Sequence, residues 1–409
     1  MLRWIIFIAI YFALGMYTLQ ALKTLTRYPW VYYAYILLSL LVLGNFIYQF
    51  TWGDEPGRVL SRPKSYAFGF LITMLSFKCI TILFLFSEDI FRLVAAGYQR
   101  FLGTAKEFTF PERRRFMSLL AVGLAAIPFG ALLYGMYKGK YNFKVLKYNL
   151  EFDDLPAAFH GYQITQISDV HSGSFDDREK IEYAIDLVNR QKSDLLLFTG
   201  DMVNNKAEEM VPWADLFATL EARDGKYSVL GNHDYGDYVE WDSEAAKEQN
   251  LEALKKLQKE IGFDLLLNEN RYLERNGERI ALIGVENWGR GGFKKAGDLK
   301  KASTGVGKDD FKILMSHDPS HWEDKVIHDK THYHLTLSGH THGMQFGIEI
   351  PGWIKWSPVK WRYTYWAGIY KELGQYINVN RGFGFLGYPG RVGIWPEISV
   401  ITLNRKGSV

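Results

Sequence analysis

Five short apolar segments in the C-terminal part of the chain are each followed by residues that bind metal ions. The first is Ile164 to Ser168, a predicted strand whose end carries Asp169 and His171. A carboxylate and an imidazole two residues apart at a strand end point to the same side, which suits a divalent cation. The pair alone decides little, because a solvated turn often has the same composition.

Four further predicted strands end in the same way. Leu195 to Thr199 leads into Gly200-Asp201, Tyr227 to Leu230 into Gly231-Asn232-His233-Asp234, Phe311 to Met315 into Ser316-His317-Asp318, and His334 to Leu337 into Ser338-Gly339-His340-Thr341-His342-Gly343. Ligands of α/β proteins bind at the carboxyl ends of the sheet strands. Five such ends in order therefore predict one shared metal site.

These blocks resemble the five signature blocks of the calcineurin-like metallophosphoesterase superfamily, in its membrane-anchored bacterial branch. The resemblance extends over roughly Lys144 to Leu403. The alternation of strands and amphipathic helices predicts an α/β domain. The resemblance adds the detail that this domain is a sandwich of two β-sheets flanked by helices.

The resemblance also implies two divalent cations. Asp169, His171 and His342 would bind the first, Asn232, His317 and His340 would bind the second, and Asp201 would bridge them. A carboxylate shared by two cations about 4 Å apart reduces their mutual repulsion. Mixed nitrogen and oxygen ligands suit manganese, iron or zinc better than calcium, and we expect manganese.

The activity that the resemblance implies is the hydrolysis of a phosphoric ester by a metal-bridging hydroxide. His233 is the expected general acid or electrostatic stabiliser of the leaving oxygen, and Asp234 would orient its ring. Two substrate-binding residues are also predicted. Gln345 extends the last block, and Arg381 could bind a phosphate, although a structural salt bridge is an equal expectation.

Charge and cysteine content exclude other classes of protein. The net charge is +3, whereas a general nucleic-acid binder would carry a strong basic excess, so no nucleic acid partner is expected. The single cysteine, Cys79, excludes an intramolecular disulfide and a cysteine metal cluster.

The first part of the chain contains four apolar segments, at residues 2–22, 28–50, 66–86 and 117–137. Each has about 20 residues, enough to cross a hydrocarbon core as a helix. Helices buried in a soluble core are the alternative, but so many in succession are hard to bury. We therefore predict a transmembrane region over 1–140 and a catalytic domain over 141–409. Ser87 to Phe110 looks like an amphipathic helix on the membrane surface.

The orientation in the membrane is less clear from the sequence. Four spans place both termini on one side, and the basic residues divide equally, so the positive-inside rule does not choose. Arg113-Arg114-Arg115-Phe116-Met117 resembles the core of a twin-arginine export signal. An ordinary basic helix end explains it equally well. The motif favours a bacterial inner-membrane protein whose catalytic domain is extracytoplasmic.

The segment from Trp353 to Tyr370 interleaves aromatic and basic residues. This mixture suits lipid headgroups and acyl chains, although stacking of bases or packing on the core would also explain it. We predict a phosphodiesterase whose substrate is a lipid or another membrane-associated phosphate ester. The alternative is a pyrophosphatase of a nucleotide-linked acylated sugar, with its site facing the cytoplasm. A catalytically silent binding scaffold is disfavoured, because every ligand position is filled.

Overall fold

The computed structural model describes residues 2–53, 59–102, 111–350 and 352–407. The chain divides into an N-terminal helical unit and a C-terminal α/β unit, with the change between Tyr137 and Lys138. This two-part architecture confirms the predicted fold class. The predicted domain limits, 1–140 and 141–409, stay a prediction.

Within the described residues the N-terminal unit is built from four helices: α1 (Leu2–Leu25), α2 (Pro29–Thr51), α3 (Arg62–Leu102) and α4 (Pro111–Tyr137). All four are long and apolar enough to cross a membrane. Large apolar side chains are exposed on every one of them, including Ile5, Leu41, Leu83 and Ile127. Exposing such an apolar surface to water costs free energy, whereas exposing it to the hydrocarbon core of a bilayer does not. The exact limits of the membrane-embedded parts stay a prediction.

Helix α3 differs from the sequence expectation. We predicted a span that ends near Phe86 and a separate amphipathic helix over Ser87 to Phe110, but the described part is one uninterrupted helix that reaches Leu102. Residues 103–110 of that prediction lie outside the described residues. The acidic residues do not interrupt α3, because Arg114 of α4 pairs with Glu88 at 3.2 Å and with Asp89 at 2.5 Å.

The C-terminal unit alternates strands with shorter helices. The helices are α5 (Arg178–Asn189), α6 (Ala214–Ala218), α7 (Glu244–Glu260), α8 (Leu299–Ala302) and α9 (Pro319–Asp324). The strands are β1 (Lys144–Phe152), β2 (Tyr162–Ile167), β3 (Leu195–Phe198), β4 (Lys226–Ser228), β5 (Asp264–Leu265), β6 (Glu269–Arg275), β7 (Glu278–Gly284), β8 (Phe311–Met315), β9 (Leu335–Ser338), β10 (Ile348–Ile350), β11 (Ile354–Trp356), β12 (Gly368–Glu372), β13 (Gln375–Val379) and β14 (Glu397–Arg405).

The strands form two six-stranded sheets and one separate hairpin. The first sheet has the order β1-β14-β2-β3-β4-β5, the second has the order β12-β13-β9-β8-β7-β6, and β10 pairs with β11 alone. Strands β2 to β5 run parallel, as do β7, β8, β9 and β13. The carboxyl ends of each parallel set therefore share one edge, where loops can carry ligands.

The two sheets face each other across an apolar core. Ile164, Leu197 and Val229 of the first sheet lie in one buried cluster with Ile313 and Leu337 of the second. Helices α5 to α7 cover the outer face of the first sheet through a second buried cluster. This sandwich is the predicted fold. It arises because the short strands are apolar on both faces, which requires a covering layer on each side.

Helix starts in this unit follow ordinary capping chemistry. The Asp177 side chain accepts a hydrogen bond from the Lys180 N–H at the start of α5, and Ser243 accepts one from Ala246 at the start of α7. Asp318 caps α9 by accepting from Ser320, with Pro319 in the first turn. Each cap satisfies a backbone N–H that the helix itself leaves unpaired.

Candidate metal centre

Five strand ends bring the seven predicted metal ligands to the facing edges of the two sheets. Asp169 and His171 follow β2, Asp201 follows β3, and Asn232 follows β4. From the second sheet come His317 after β8, and His340 and His342 after β9. Three sets of His and Asp side chains lie close enough to hold a cation: Asp169, His171 and His342; His171, Asp201 and His233; and Asp201, His317 and His340.

The first predicted set converges tightly. The Nε2 atoms of His171 and His342 lie 3.0 Å apart, and His342 Nε2 lies 3.2 Å from an Asp169 carboxylate oxygen. All three side chains are buried. Buried imidazoles and a carboxylate that share one small volume form a suitable donor set for a divalent transition metal ion.

The second predicted set is marked by unsatisfied atoms. Within the described part of the chain, Asn232 Oδ1, His317 Nε2 and His340 Nδ1 are buried and have no hydrogen-bond partner. A buried polar atom without a partner is costly, so native proteins usually satisfy such atoms. One orphaned atom on each member of the set fits a shared cation, which would satisfy all three together.

Asp201 lies between the two sets. One of its oxygens is 3.1 Å from His317 Nε2 and 3.6 Å from His171 Nε2. The other accepts a hydrogen bond of 2.8 Å from the His233 backbone N–H. Gly231 permits this arrangement, because a Cβ there would lie 2.2 Å from the Asp201 carboxylate.

The backbone of the site is strained. Asp169, His171, Asp201, His340 and His342 all have φ between 48° and 70°, a left-handed conformation that non-glycine residues seldom adopt. Such strain is maintained only where the surrounding structure holds it, and it concentrates at functional sites. It turns the ligand side chains of successive strand ends toward one point.

Burial sets the protonation of most of these groups. It lowers the pKa of His171, of His233 and of His340, and therefore favours the neutral imidazole that a metal requires. His317 differs: burial lowers its pKa, but the charge of Asp201, its contact with that carboxylate and the charge of Asp169 together raise the pKa to about 10. For Asp201, burial opposes ionisation, but His317 holds the carboxyl pKa well below its usual range.

The predicted roles of His233 and Asp234 separate in the structure. The His233 ring is oriented by the backbone carbonyl of Asn204, 2.8 Å from Nδ1, and the expectation that Asp234 orients it was wrong. Asp234 instead accepts the backbone N–H groups of Asp201 and Gly231, each at 2.9 Å. It shapes the loops that carry the ligands, because a buried carboxylate fixes the backbone donors around it.

The two predicted substrate-binding residues are used internally. Gln345 donates to the carbonyls of Tyr388 and Gly390 and accepts from the Leu386 N–H, so its amide is fully occupied. Arg381 is buried and forms a bidentate ion pair with Glu349, at 2.9 and 2.6 Å, and a second ion pair with Glu397. A guanidinium between two carboxylates has no free face for phosphate, so the salt-bridge expectation for Arg381 is the one that the contacts support.

Several residues of the site were missed from the sequence. The Tyr238 hydroxyl accepts a 2.7 Å hydrogen bond from Asn232 Nδ2, and its ring lies 4.4 Å from that of His233. Tyr363 holds His340 through a 2.8 Å contact at Nε2, and an Asp318 oxygen lies 3.2 Å from the same nitrogen. Tyr238 lies four residues after the Asn-His-Asp block, and this proximity was the available indication. Tyr363 has no such indication.

Comparisons with known proteins agree with this architecture. Residues 2–140 match the family described as "Probable Calcineurin-like phosphoesterase, transmembrane domain". Residues 162–344 match the family described as "Calcineurin-like phosphoesterase". The two matches correspond to the helical unit and to most of the sheet-bearing unit.

Curated relatives carry the same designation. An uncharacterised metallophosphoesterase of Bacillus subtilis is 30% identical over 306 residues, which cover 71% of this chain and 97% of the relative. One from Aquifex aeolicus is 30% identical over 68% of this chain and 100% of its own. One from Helicobacter pylori is 25% identical over 94% of this chain and 92% of its own. The chain thus belongs to the calcineurin-like metallophosphoesterase family, as a metal-dependent phosphoric ester hydrolase with a multi-pass membrane region.

Proposed function

We propose that this protein is a membrane-anchored phosphodiesterase with two divalent cations, and that its substrate is a lipid or another membrane-associated phosphate ester. The observation that carries the proposal is the second ligand set. Asn232 Oδ1 and His340 Nδ1 are buried without a hydrogen-bond partner in the described residues, and His317 Nε2 has an ionic contact of 3.1 Å with the Asp201 carboxylate, which the first set also approaches.

The residues fit the proposed cations by chemistry and by charge. Asp169, His171 and His342 would hold one, Asn232, His317 and His340 the other, with Asp201 shared. When bound, the cations would activate a water molecule and neutralise charge on the phosphoryl oxygens. Manganese, iron and zinc all suit such mixed donors, and we propose manganese.

His233 is the proposed proton donor to the leaving oxygen. A backbone carbonyl only accepts hydrogen bonds, so the contact with Asn204 fixes a proton on His233 Nδ1. The other ring nitrogen is directed toward the cluster of His171 and Asp201. A substrate phosphate at that cluster would lie within reach of this nitrogen. Because one proton is held on Nδ1, His233 would donate to the leaving oxygen from its imidazolium form, which carries a second proton on the other nitrogen and becomes the neutral ring after the transfer. The negative charge of the bound phosphate would favour that protonated form.

The position of the site within its own unit supports a membrane-associated substrate. The chain enters this unit after α4, and β1 begins at Lys144, whose N–H donates to the Pro396 carbonyl. Because β1 runs parallel to β14 and β14 runs antiparallel to β2, the start of β1 lies at the end of the sheet where β2 ends. The candidate metal centre therefore lies at the end of the unit through which the membrane anchor is attached.

Hydrolysis assays with the purified full-length protein test this function. We expect manganese-dependent cleavage of bis(p-nitrophenyl) phosphate, and cleavage of at least one phospholipid from a panel that also includes nucleotide-linked acylated sugars. Cleavage confined to the sugar nucleotides would favour the pyrophosphatase alternative instead. Absence of hydrolysis with every metal and substrate would contradict the enzymatic proposal.

We further propose a bacterial inner-membrane location with the catalytic unit outside the cytoplasm. The basis is the resemblance of the Arg113-Arg114-Arg115 segment to an export signal. The ion pairs of Arg114 with Glu88 and Asp89 give part of that motif a structural use as well. Protease added to intact spheroplasts should degrade the catalytic unit, and protection of that unit would reverse the orientation.

A further inference from the structure

The β10-β11 hairpin presents its apolar side to solvent. Among the strands of the described residues, Ile348–Ile350 and Ile354–Trp356 pair with each other and belong to neither six-stranded sheet. Ile348, Ile350 and Ile354 are exposed, and Trp353 near the turn is 80% exposed. A two-stranded hairpin in water is expected to pack such residues against the protein. Their exposure therefore indicates a surface that another molecule or a membrane covers.

The pairing register of β10 and β11 explains why their apolar side chains are exposed together. Glu349 lies opposite Lys355, while Ile350 lies opposite Ile354 and Ile348 opposite Trp356. Residues opposite each other share a face and successive residues alternate, so one face is polar and the other apolar.

The polar face is the one attached to the protein. Glu349 forms the bidentate ion pair with buried Arg381, and Lys355 donates to the Ala367 carbonyl and lies 5.1 Å from the Trp366 ring. These contacts hold the apolar face outward. Rotating the hairpin to bury its isoleucines would break the buried ion pair, which is strongly unfavourable.

The apolar face extends beyond the two strands. Met344 and Phe346 alternate with buried residues just before β10 and are both exposed. Trp361, 76% exposed, packs edge-on against Trp356. We call the following apolar side chains, which are exposed except for the half-buried Trp356, the apolar hairpin face: Met344, Phe346, Ile348, Ile350, Trp353, Ile354, Trp356 and Trp361.

The charge around this face is positive. Between Met344 and Arg362 the sequence contains Lys355, Lys360 and Arg362 but only one acidic residue, Glu349, which Arg381 neutralises. Lys360 and Arg362 are exposed beside Trp361. Aromatic rings with flanking cations are the composition of segments that lie in a bilayer interface with anionic headgroups.

The root of the hairpin is held close to the membrane attachment. Gly139, two residues after α4 ends, packs against the backbone carbonyl of Arg391. The next residue, Val392, exchanges hydrogen bonds with Gln345 and Gly347, which lead directly into β10. From there each three-residue strand extends about 10 Å. The apolar face thus begins close to the first residues of the catalytic unit.

We propose that the apolar hairpin face inserts into the interface of an anionic bilayer and docks the catalytic unit on the membrane surface. The four apolar helices keep the unit within reach of a bilayer whatever its substrate is, so this docking does not depend on the proposed function. It commits the hairpin to a lipid partner, and a second copy of the chain is the competing occupant.

Depth-dependent fluorescence quenching in nanodiscs tests the docking. The full-length protein would carry Cys79→Ser and a single new cysteine, Trp353→Cys, labelled with an environment-sensitive dye. We expect blue-shifted emission and strong quenching by lipids that carry a quencher near the headgroup. The matched control is Glu274→Cys, because Glu274 is exposed and lies near the opposite end of its sheet from the metal centre; its label should remain unquenched.

Solvent-like emission at position 353, with no more quenching than at 274, would overturn the proposal. So would efficient disulfide formation between two Trp353→Cys chains at the expense of lipid quenching, because that would make the hairpin an interface between copies.

A functional readout separates docking from chemistry. The variant Ile350→Ser, Trp353→Ser, Trp361→Ser should hydrolyse bis(p-nitrophenyl) phosphate at the wild-type rate. We expect kcat/KM for a substrate presented in anionic vesicles to fall about tenfold, because three apolar contacts with the bilayer are lost. An equal rate on vesicles would contradict docking. If neither protein hydrolysed any ester while quenching persisted, the proposed function alone would fail.

Discussion

Removing the Tyr238 hydroxyl should weaken metal binding without destroying the fold. This hydroxyl accepts the Asn232 Nδ2–H at 2.7 Å, and the amide is thereby oriented with Oδ1 as its unsatisfied atom. Tyr238→Phe keeps the ring that packs 4.4 Å from His233 and removes the hydroxyl that contacts Asn232. The variant therefore isolates the orientation of one proposed ligand.

The size of the effect follows from the loss of the hydrogen bond with Asn232. A neutral hydrogen bond contributes about 1 kcal/mol net. Residues that orient metal ligands affect metal affinity by about 10- to 100-fold. Since the Asn232 backbone remains fixed by its loop, we expect the lower end, about a tenfold loss of affinity or about 1.4 kcal/mol. Saturating metal should restore kcat.

The assay is a manganese titration of chelator-treated full-length protein. Hydrolysis of bis(p-nitrophenyl) phosphate would give the half-saturating metal concentration, and the metal content after gel filtration would give a readout independent of turnover. Tyr272→Phe is the matched control, because it also loses a hydroxyl contact, 2.6 Å to Asp310, away from the site. An unchanged half-saturation point in Tyr238→Phe, or a loss that excess manganese does not repair, would refute the reasoning.

Three further predictions follow from other contacts of the catalytic unit. Asp201→Asn should lower the metal content and reduce activity by about a thousandfold, whereas His233→Ala should reduce activity but leave the metal content unchanged. Metal analysis and rate measurements on the same samples would distinguish the two variants. Undiminished turnover would exclude the proposed roles of these residues. Arg381→Met should destabilise the protein by about 3 kcal/mol, because it removes the cation that pairs with the buried Glu397 carboxylate and with the half-buried Glu349 carboxylate, and KM should not change. A raised KM in a fully stable variant would instead support substrate binding by Arg381. Burial lowers the pKa of His321 from 6.5 to about 4. Between these two pH values the folded state therefore binds fewer protons than the unfolded state. The free energy of unfolding should fall by up to about 3 kcal/mol as the pH drops through this range. Thermal unfolding of wild type and His321→Gln at about pH 7.5 and about pH 5 should show a smaller pH effect in the variant, and equal effects would contradict this.

The convergence of the predicted ligand side chains could be inferred because the ligand blocks are local in sequence. Each ligand directly follows a short apolar segment, and the direction of parallel strands brings those ends to one edge. The alternation of strands and helices could be predicted for the same reason, since strand β8, apolar except for Lys312, coincides with its expected span, Phe311 to Met315. The arrangement as a sandwich of two sheets was expected from the family resemblance.

Contacts between distant residues were not predictable. The Asn204 carbonyl orients the His233 ring. Every residue has a backbone carbonyl, so the sequence does not indicate which of them has this role. The ion pair of Arg381 with Glu349 joins residues 32 positions apart, and together with the contacts of Lys355 it holds the polar face of the hairpin against the protein. The alternation of aromatic and basic residues around Trp353 was equally compatible with packing on the core and with a position in the membrane interface.

Helix α3 illustrates the same limit in the membrane unit. Glu88 and Asp89 looked like the start of a surface segment, because two adjacent acids are costly inside a span. Their partner, Arg114, lies on another helix. The sequence gives no indication of that pairing, so the end of the third helix was misplaced.

The central claim is that seven side chains from five strand ends hold two cations, and metal analysis tests it most directly. Full-length protein, stripped with chelator and reloaded with manganese, should retain two ions per chain and recover hydrolysis of bis(p-nitrophenyl) phosphate. Protein that stays metal-free and inert after reloading, or that reaches full activity with a single ion, would contradict the account.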